Sequence, residues 1–156
     1  MSSIRQERDE FVRRSGPIGP ERRTALTALT DDWIARLFEH AVGNEPGFSL
    51  IAVGGHGRSE LAPGSDLDLV LLHRSDPEKA RLVAEKLWYP IWDSGISLDH
   101  SVRSFGEARQ MASRDLKVML GLMDARRVAG DEPMATELVS SVLADWRATA
   151  TRRASI

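Results

Sequence analysis

Apolar positions along this chain follow two periods. Leu26, Leu29, Trp33, Ile34, Leu37, Phe38 and Ala41 recur near every 3.6 residues, which predicts a helix over 21–41 stopped by Gly43 and Asn44. Residues 50–53 and 67–72 are short apolar runs of strand length instead. Ser75 or Asp76 ahead of Pro77 opens a second helix, reading to about residue 92, with Leu82, Val83, Leu87, Trp88, Ile91 and Trp92 facing inward. Pro90 is expected to end or kink it early. Gly95 releases the chain into a third strand, 96–103, where Ile96, Leu98, His100 and Val102 take one face and Ser97, Asp99, Ser101 and Arg103 the other. Helices follow over 106–112, 115–126 and 136–149, with a break at 128–131 that leaves room for a short strand before it.

The pattern predicts an α/β (α+β) fold: a small, mixed, twisted sheet of at least three strands with helices largely on one face. The breaker cluster at 15–20, SGPIGP, marks a boundary. Residues 1–19 are accordingly a helical or frayed lead-in, 20–135 the domain, and 136–156 a C-terminal helix that begins a missing helical segment.

Composition changes this picture little. The 156 residues suffice for one domain, which at this size buries roughly 68–70% of its extended-chain surface. The chain has no cysteine, which excludes disulfides and zinc–thiolate sites and agrees with a cytoplasmic setting. Its amino terminus is charged, without the apolar stretch of a secretion signal, and no run of 18 apolar residues suggests a membrane span. A net charge of −2 argues against an extended nucleic-acid surface. Charge is nevertheless uneven. Arg103, Arg109, Arg114, Lys117, Arg126 and Arg127 face only Glu107, Asp115 and Asp124 over residues 103–127, a balance that favours a triphosphate.

The chemistry concentrates in residues 50–72, LIAVGGHGRSELAPGSDLDLVLL. An ionised carboxylate inside a strand of leucine and valine costs several kcal/mol unless it is paired or holds a cation, so Asp68 is expected at the strand mouth facing a metal. Asp66 points the same way, with its Cα about 6.6 Å off at ~3.3 Å per residue, so both can reach one pair of divalent ions. Gly54, Gly55 and Gly57 let backbone N–H groups approach a phosphate closely. The ten residues between Gly55 and Asp66 leave room for a turn and one helical turn, placed at 58–61, before Pro63 and Gly64 lead into the second strand.

An apolar residue, Gly-Gly, ten residues and Asp-Leu-Asp-Leu together resemble the signature of the DNA polymerase β-type nucleotidyltransferase superfamily. The longer string GGHGRSELAPGSDLDL, followed by YPIWDSG, DHSVRS and LMDARRVAGD, is similar to the amino-terminal nucleotidyltransferase domain of the bifunctional PII uridylyltransferase/uridylyl-removing enzymes, over about residues 20–135. The resemblance implies transfer of UMP or AMP from UTP or ATP to a tyrosine hydroxyl of the PII nitrogen-regulatory protein, with release of pyrophosphate. Asp66 and Asp68 would hold two Mg²⁺ ions. Asp99 would be the third carboxylate or the base, at a position where better-known members often carry glycine. Gly54, Gly55 and Gly57 would cradle the phosphates, helped by Ser65 and Arg58. Two alternatives accompany this reading: a minimal nucleotidyltransferase with another acceptor, and a nucleotide-binding regulatory module without turnover. The family's hydrolase and ligand-sensing domains find no counterpart in the 156 residues, so the chain is read as a fragment, an excised piece or a reduced relative that transfers in one direction only.

Overall fold

A computed structural model describes residues 3–16 and 19–154. In chain order the elements are α1 (Ile4–Ser15), α2 (Pro20–Val42), β1 (Phe48–Ala52), α3 (Gly54–Gly57), β2 (Leu67–His73), α4 (Pro77–Asp93), β3 (Leu98–Ser104), α5 (Phe105–Arg114), α6 (Leu116–Met123), β4 (Arg126–Gly130) and α7 (Glu132–Ala154). The four strands form one mixed sheet in the order β3-β2-β1-β4. β1 is antiparallel to both neighbours, while β2 and β3 run parallel. A parallel pair needs a crossover, and α4 provides it.

The α/β fold and its mixed sheet are as the sequence predicts; the helices differ in placement. They cover both faces. β1 is buried along its whole length and divides its residues between two cores. Leu50 and Ala52, with Leu67, Leu69 and Leu71 of β2, pack against α2 and α4. Ile51 and Leu72 pack against Ala108, Ala112, Leu122, Leu138 and Val142 of α5, α6 and α7. α5 and α6 are short and α7 is separated from them by a strand, so their common face is invisible in any one window.

Capping explains most helix starts. Asp76 accepts the Lys79 N–H at 2.9 Å to open α4 ahead of Pro77. Ser104 accepts from Glu107 at 3.1 Å to open α5, and Asp115 accepts from Lys117 at 2.9 Å to open α6. α1 starts with a capping box between Ser3 and Gln6, and it packs on α2 with Ile4 buried.

Three local expectations are corrected. Pro90 lies inside α4, which continues to Asp93: it falls in the last turn, and the carbonyl it deprives belongs to exposed Lys86, where water can serve it. Leu82 and Trp92 point outward, 47% and 51% exposed. The break placed at 128–131 is itself largely strand β4, whose Ala129 sits opposite Leu50 on the edge of β1.

Candidate active site

The parallel register of β2 and β3 pairs Asp68 with Asp99, Val70 with Ser101 and Leu72 with Arg103. Paired residues share a face and neighbouring strands lie about 4.8 Å apart, so the two carboxylates stand side by side. They look toward the α5–α6 side. There a cleft of ≈ 500 Å³ is lined by Gly54, Asp68 and Asp99 together with Arg58, Arg103 and Lys117. Met111, Val118 and Leu120 give it an apolar wall. Asp68 and Asp99 also border a smaller cavity of ≈ 170 Å³, shared with Gly55, Ser65 and Asp66.

The Asp68 carboxyl is pushed above its ordinary value, first by burial and then by the Asp99 carboxylate beside it, with Asp66 adding to the effect. Burial and like-charged neighbours disfavour its ionised form, against the opposing influence of His56. Asp66 is exposed and precedes the strand. Among the described residues, no three His, Cys, Asp or Glu side chains converge closely enough to hold a metal as the chain stands.

The helical turn of this region falls on the glycines themselves, residues 54–57, rather than on 58–61. Gly54 has φ +57°, and a Cβ there would stand 3.1 Å from Asp68 Oδ2, so glycine serves both the left-handed backbone and the approach of the carboxylate. Val53 offers this turn no side-chain cap, so no side chain takes up the N–H groups of its first residues. Gly57 has another duty. It is buried against the backbone carbonyls of Ala52 and Asp124, and a Cβ would collide with both.

Arg58 donates to Glu60 at 3.1 Å and to Asp124 at 2.9 Å, across the cleft floor to the end of α6. Ser65 accepts the Ala62 N–H at 3.0 Å and so closes the turn ahead of Asp66. Of the six basic residues in 103–127, Arg103 and Lys117 reach the cleft. Arg109 instead forms a two-pronged pair with Asp145 on α7, and Arg127 lies near Glu132. Trp88, Tyr89 and Trp92 are on α4, across the sheet, where His100 packs 5.3 Å from Trp88 and 5.2 Å from Trp92.

A second group of residues escaped the sequence reading. His56, 1% exposed, accepts the Asp68 N–H on Nδ1 at 3.4 Å, so its proton sits on Nε2 and is donated to Asp31 Oδ1 at 2.8 Å. Asp31 Oδ2 takes Arg126 Nη1 at 2.6 Å, and Arg126 donates onward to the carbonyls of His56 at 3.0 Å and Gly57 at 3.3 Å. This chain of bonds ties α2, the glycine turn, β2 and β4 together. Thr27 adds a further tie by accepting the Leu61 N–H at 3.2 Å. One signal was present: Asp31 lies one turn from Thr27 and Ile34 on the inward stripe of α2, where an unpaired carboxylate would be costly.

No family model matches the chain. Curated relatives do. The chain is 56% identical over 136 residues to the bifunctional uridylyltransferase/uridylyl-removing enzyme of Streptomyces coelicolor, a match covering 86% of this chain and 16% of the relative. It is 44% identical over 137 residues to the enzyme of the same name from Mycobacterium tuberculosis H37Rv, covering 86% of this chain and 17% of the relative. The Pseudomonas entomophila enzyme is 40% identical over 100 residues, which covers 64% of this chain and 11% of the relative. This chain therefore spans about one sixth of the length of the first two relatives. Among solved structures, a toxin–antitoxin with AMP-PNP aligns at TM-score 0.47 and 15% identity, over 80% of this chain and 93% of that one.

Proposed function

From homology to the bifunctional uridylyltransferase/uridylyl-removing enzymes, we propose that this chain is a nucleotidyltransferase unit, moving UMP or AMP from UTP or ATP to a hydroxyl. The acceptor in this reading is a tyrosine hydroxyl of the PII nitrogen-regulatory protein, and the setting is the cytoplasm. The observation that carries the proposal is the register pairing of Asp68 with Asp99 beside Gly54, at the mouth of a cleft that also presents Arg103 and Lys117.

The donor set fits Mg²⁺: Asp66, Asp68 and Asp99 offer carboxylate oxygens alone, and burial and mutual repulsion leave Asp68 in need of a positive neighbour. Two bound Mg²⁺ ions would polarise the reacting phosphoryl oxygens and lower the pKa of the attacking hydroxyl. The rest falls to the chain. The N–H groups at Gly54 and Gly55 bind the β- and γ-phosphates, and Arg103 and Lys117 offset their charge. Gly57 and Ser65 contribute through the shape of the loop. Met111, Val118 and Leu120 hold the base against an apolar wall and exclude water. Asp99 takes the proton of the acceptor hydroxyl as its oxygen bonds to the α-phosphorus, the bond from that phosphorus to the bridging oxygen breaks, and pyrophosphate leaves. The His56–Asp31–Arg126 bonds keep the glycine turn from shifting during the step.

Pyrophosphate release measured with each of four nucleoside triphosphates, with and without purified PII protein, tests this. PII-dependent release with UTP or ATP is expected. Release without PII would point to another acceptor, and tight Mg–nucleotide binding without release would make the chain a regulatory module.

A further inference from the structure

A further cavity shares Ser65 with the small cavity of Asp66, Asp68 and Asp99. It measures ≈ 220 Å³ and is bounded by Arg5, Arg8 and Asp9 of α1, by the turn at 63–65 and by the segment 95–97. Arg8 is only 6% exposed, and its Nε and Nη2 have no hydrogen-bond partner among the described residues. These two nitrogens form one edge of the guanidinium, a parallel pair of N–H donors that matches two oxygens on a single carbon or phosphorus. Burial holds this guanidinium below its usual value, with Asp9 opposing. A buried cation with an unmet donor edge is a costly arrangement for a fold to keep without an anion to receive it. Arg5 adds a second cation: its Nη1 would stand 3.3 Å from a Cβ at Gly95, within the same wall.

We propose that this cavity is an oxyanion-binding site, taking a single carboxylate or phosphate group on the Arg8 edge with Arg5 as its second cation. Asp9 in the lining would oppose additional negative charge, and the volume is under half that of the main cleft. The site's position gives it influence. Ser65 borders this cavity on one side and the cavity of Asp66, Asp68 and Asp99 on the other. The segment 95–97 leads into β3, and the Ser97 carbonyl accepts the Leu67 N–H at 2.8 Å, between Asp66 and Asp68. An anion on Arg8 therefore clamps α1 onto both segments that deliver the carboxylates. This site does not depend on the proposed reaction.

The test is the melting temperature of the 156-residue chain, without Mg²⁺ or nucleotide, titrated with inorganic phosphate or with succinate against chloride at equal ionic strength. A saturable rise beyond chloride is expected, with phosphate alone identifying a phosphate site and a rise with both identifying a general oxyanion site. The rise should vanish in Arg8→Gln, fall at least several-fold in affinity in Arg5→Gln, and persist in Lys117→Gln, which alters only the main cleft. Arg8→Met keeps the packing and removes the charge; it should melt higher than the parent without anion and be indifferent to phosphate. No rise beyond chloride, a rise that survives both Arg8 variants, or one lost in Lys117→Gln would each overturn the proposal.

Discussion

Two clusters of charge lie within a few residues of each other and are treated oppositely. His56, Asp31 and Arg126 are largely withdrawn from water, and each polar edge meets a partner inside the chain. Asp68 and Asp99 are left beside one another with like charges and an open cleft before them. The first cluster uses its polarity to fix backbone. The second holds polarity unspent, as a group that must receive something from outside is expected to do. The difference teaches that burial alone does not say what a polar group is for; whether its charge is met inside the chain separates the two clusters.

The sharpest way to break this comparison is to remove the unmet charge. Asp68→Asn, like Asp66→Asn, is expected to lower transfer by about 10²-fold or more, the scale of losing a positioned charge at a reacting centre, read as pyrophosphate release. Stability should move the other way. Because the folded-state value of Asp68 is raised, its ionised form weighs against the fold: the stability is fully present below the ordinary carboxyl value and lost as pH rises through the raised one. Asp68→Asn should thus unfold later than the parent at neutral pH and equal it in acid, as urea curves at both pH values would reveal.

Asp99→Asn separates base from ligand. A loss of about 10²–10⁴ in kcat with triphosphate affinity kept is expected for a proton acceptor. An unchanged kcat would make Asp99 a surface residue.

The satisfied cluster should respond in stability. Arg126→Met leaves Asp31 without its cation and two carbonyls without this donor, a loss of about 1.5–3 kcal/mol in denaturant unfolding. If the variant unfolded with the parent, the bonds from Arg126 would be ornamental. The smallest effect is assigned to Gly54→Ala, where φ +57° and the nearby Asp68 oxygen together should cost about 1–2 kcal/mol. A gain in melting temperature would show that the turn does not need its left-handed residue.

What the sequence made legible follows from range. Asp66, Asp68, Gly54 and Gly55 announce themselves because the chemistry and the punctuation sit in one short stretch. The face of Asp99 was readable too, since alternation in 96–103 is a local property, and the structure sets Ile96, Leu98 and Val102 against one core and Asp99, Ser101 and Arg103 toward the cleft. Arg126 was not readable and Asp31 gave only its place on the inward stripe of α2, because their meaning is a contact between elements far apart in the chain. β4 was legible only as room for a short strand ahead of residue 128, for a related reason: an edge strand with Arg126, Arg127 and Gly130 carries little apolar alternation of its own and is defined by the backbone of β1. Gly57 was read as a phosphate ligand on its neighbours' pattern, whereas its missing Cβ is taken up by the Asp124 carbonyl.

The long sequence separation between β4 and β1 is also expected to order the assembly of the molecule in time. β1 and β2 form a local hairpin-like pair, and β3 returns to β2 after one helix, so these pairings close short loops. β4 must instead find β1 from beyond α6, across a register shift at Leu50 and Ile51, and closing the longer loop is the slower step. Arg126 arrives with it. In that order the carbonyls of His56 and Gly57 would gain their Arg126 donor last, and a chain that had made the carboxylate strands would still have to lock the loop beside them.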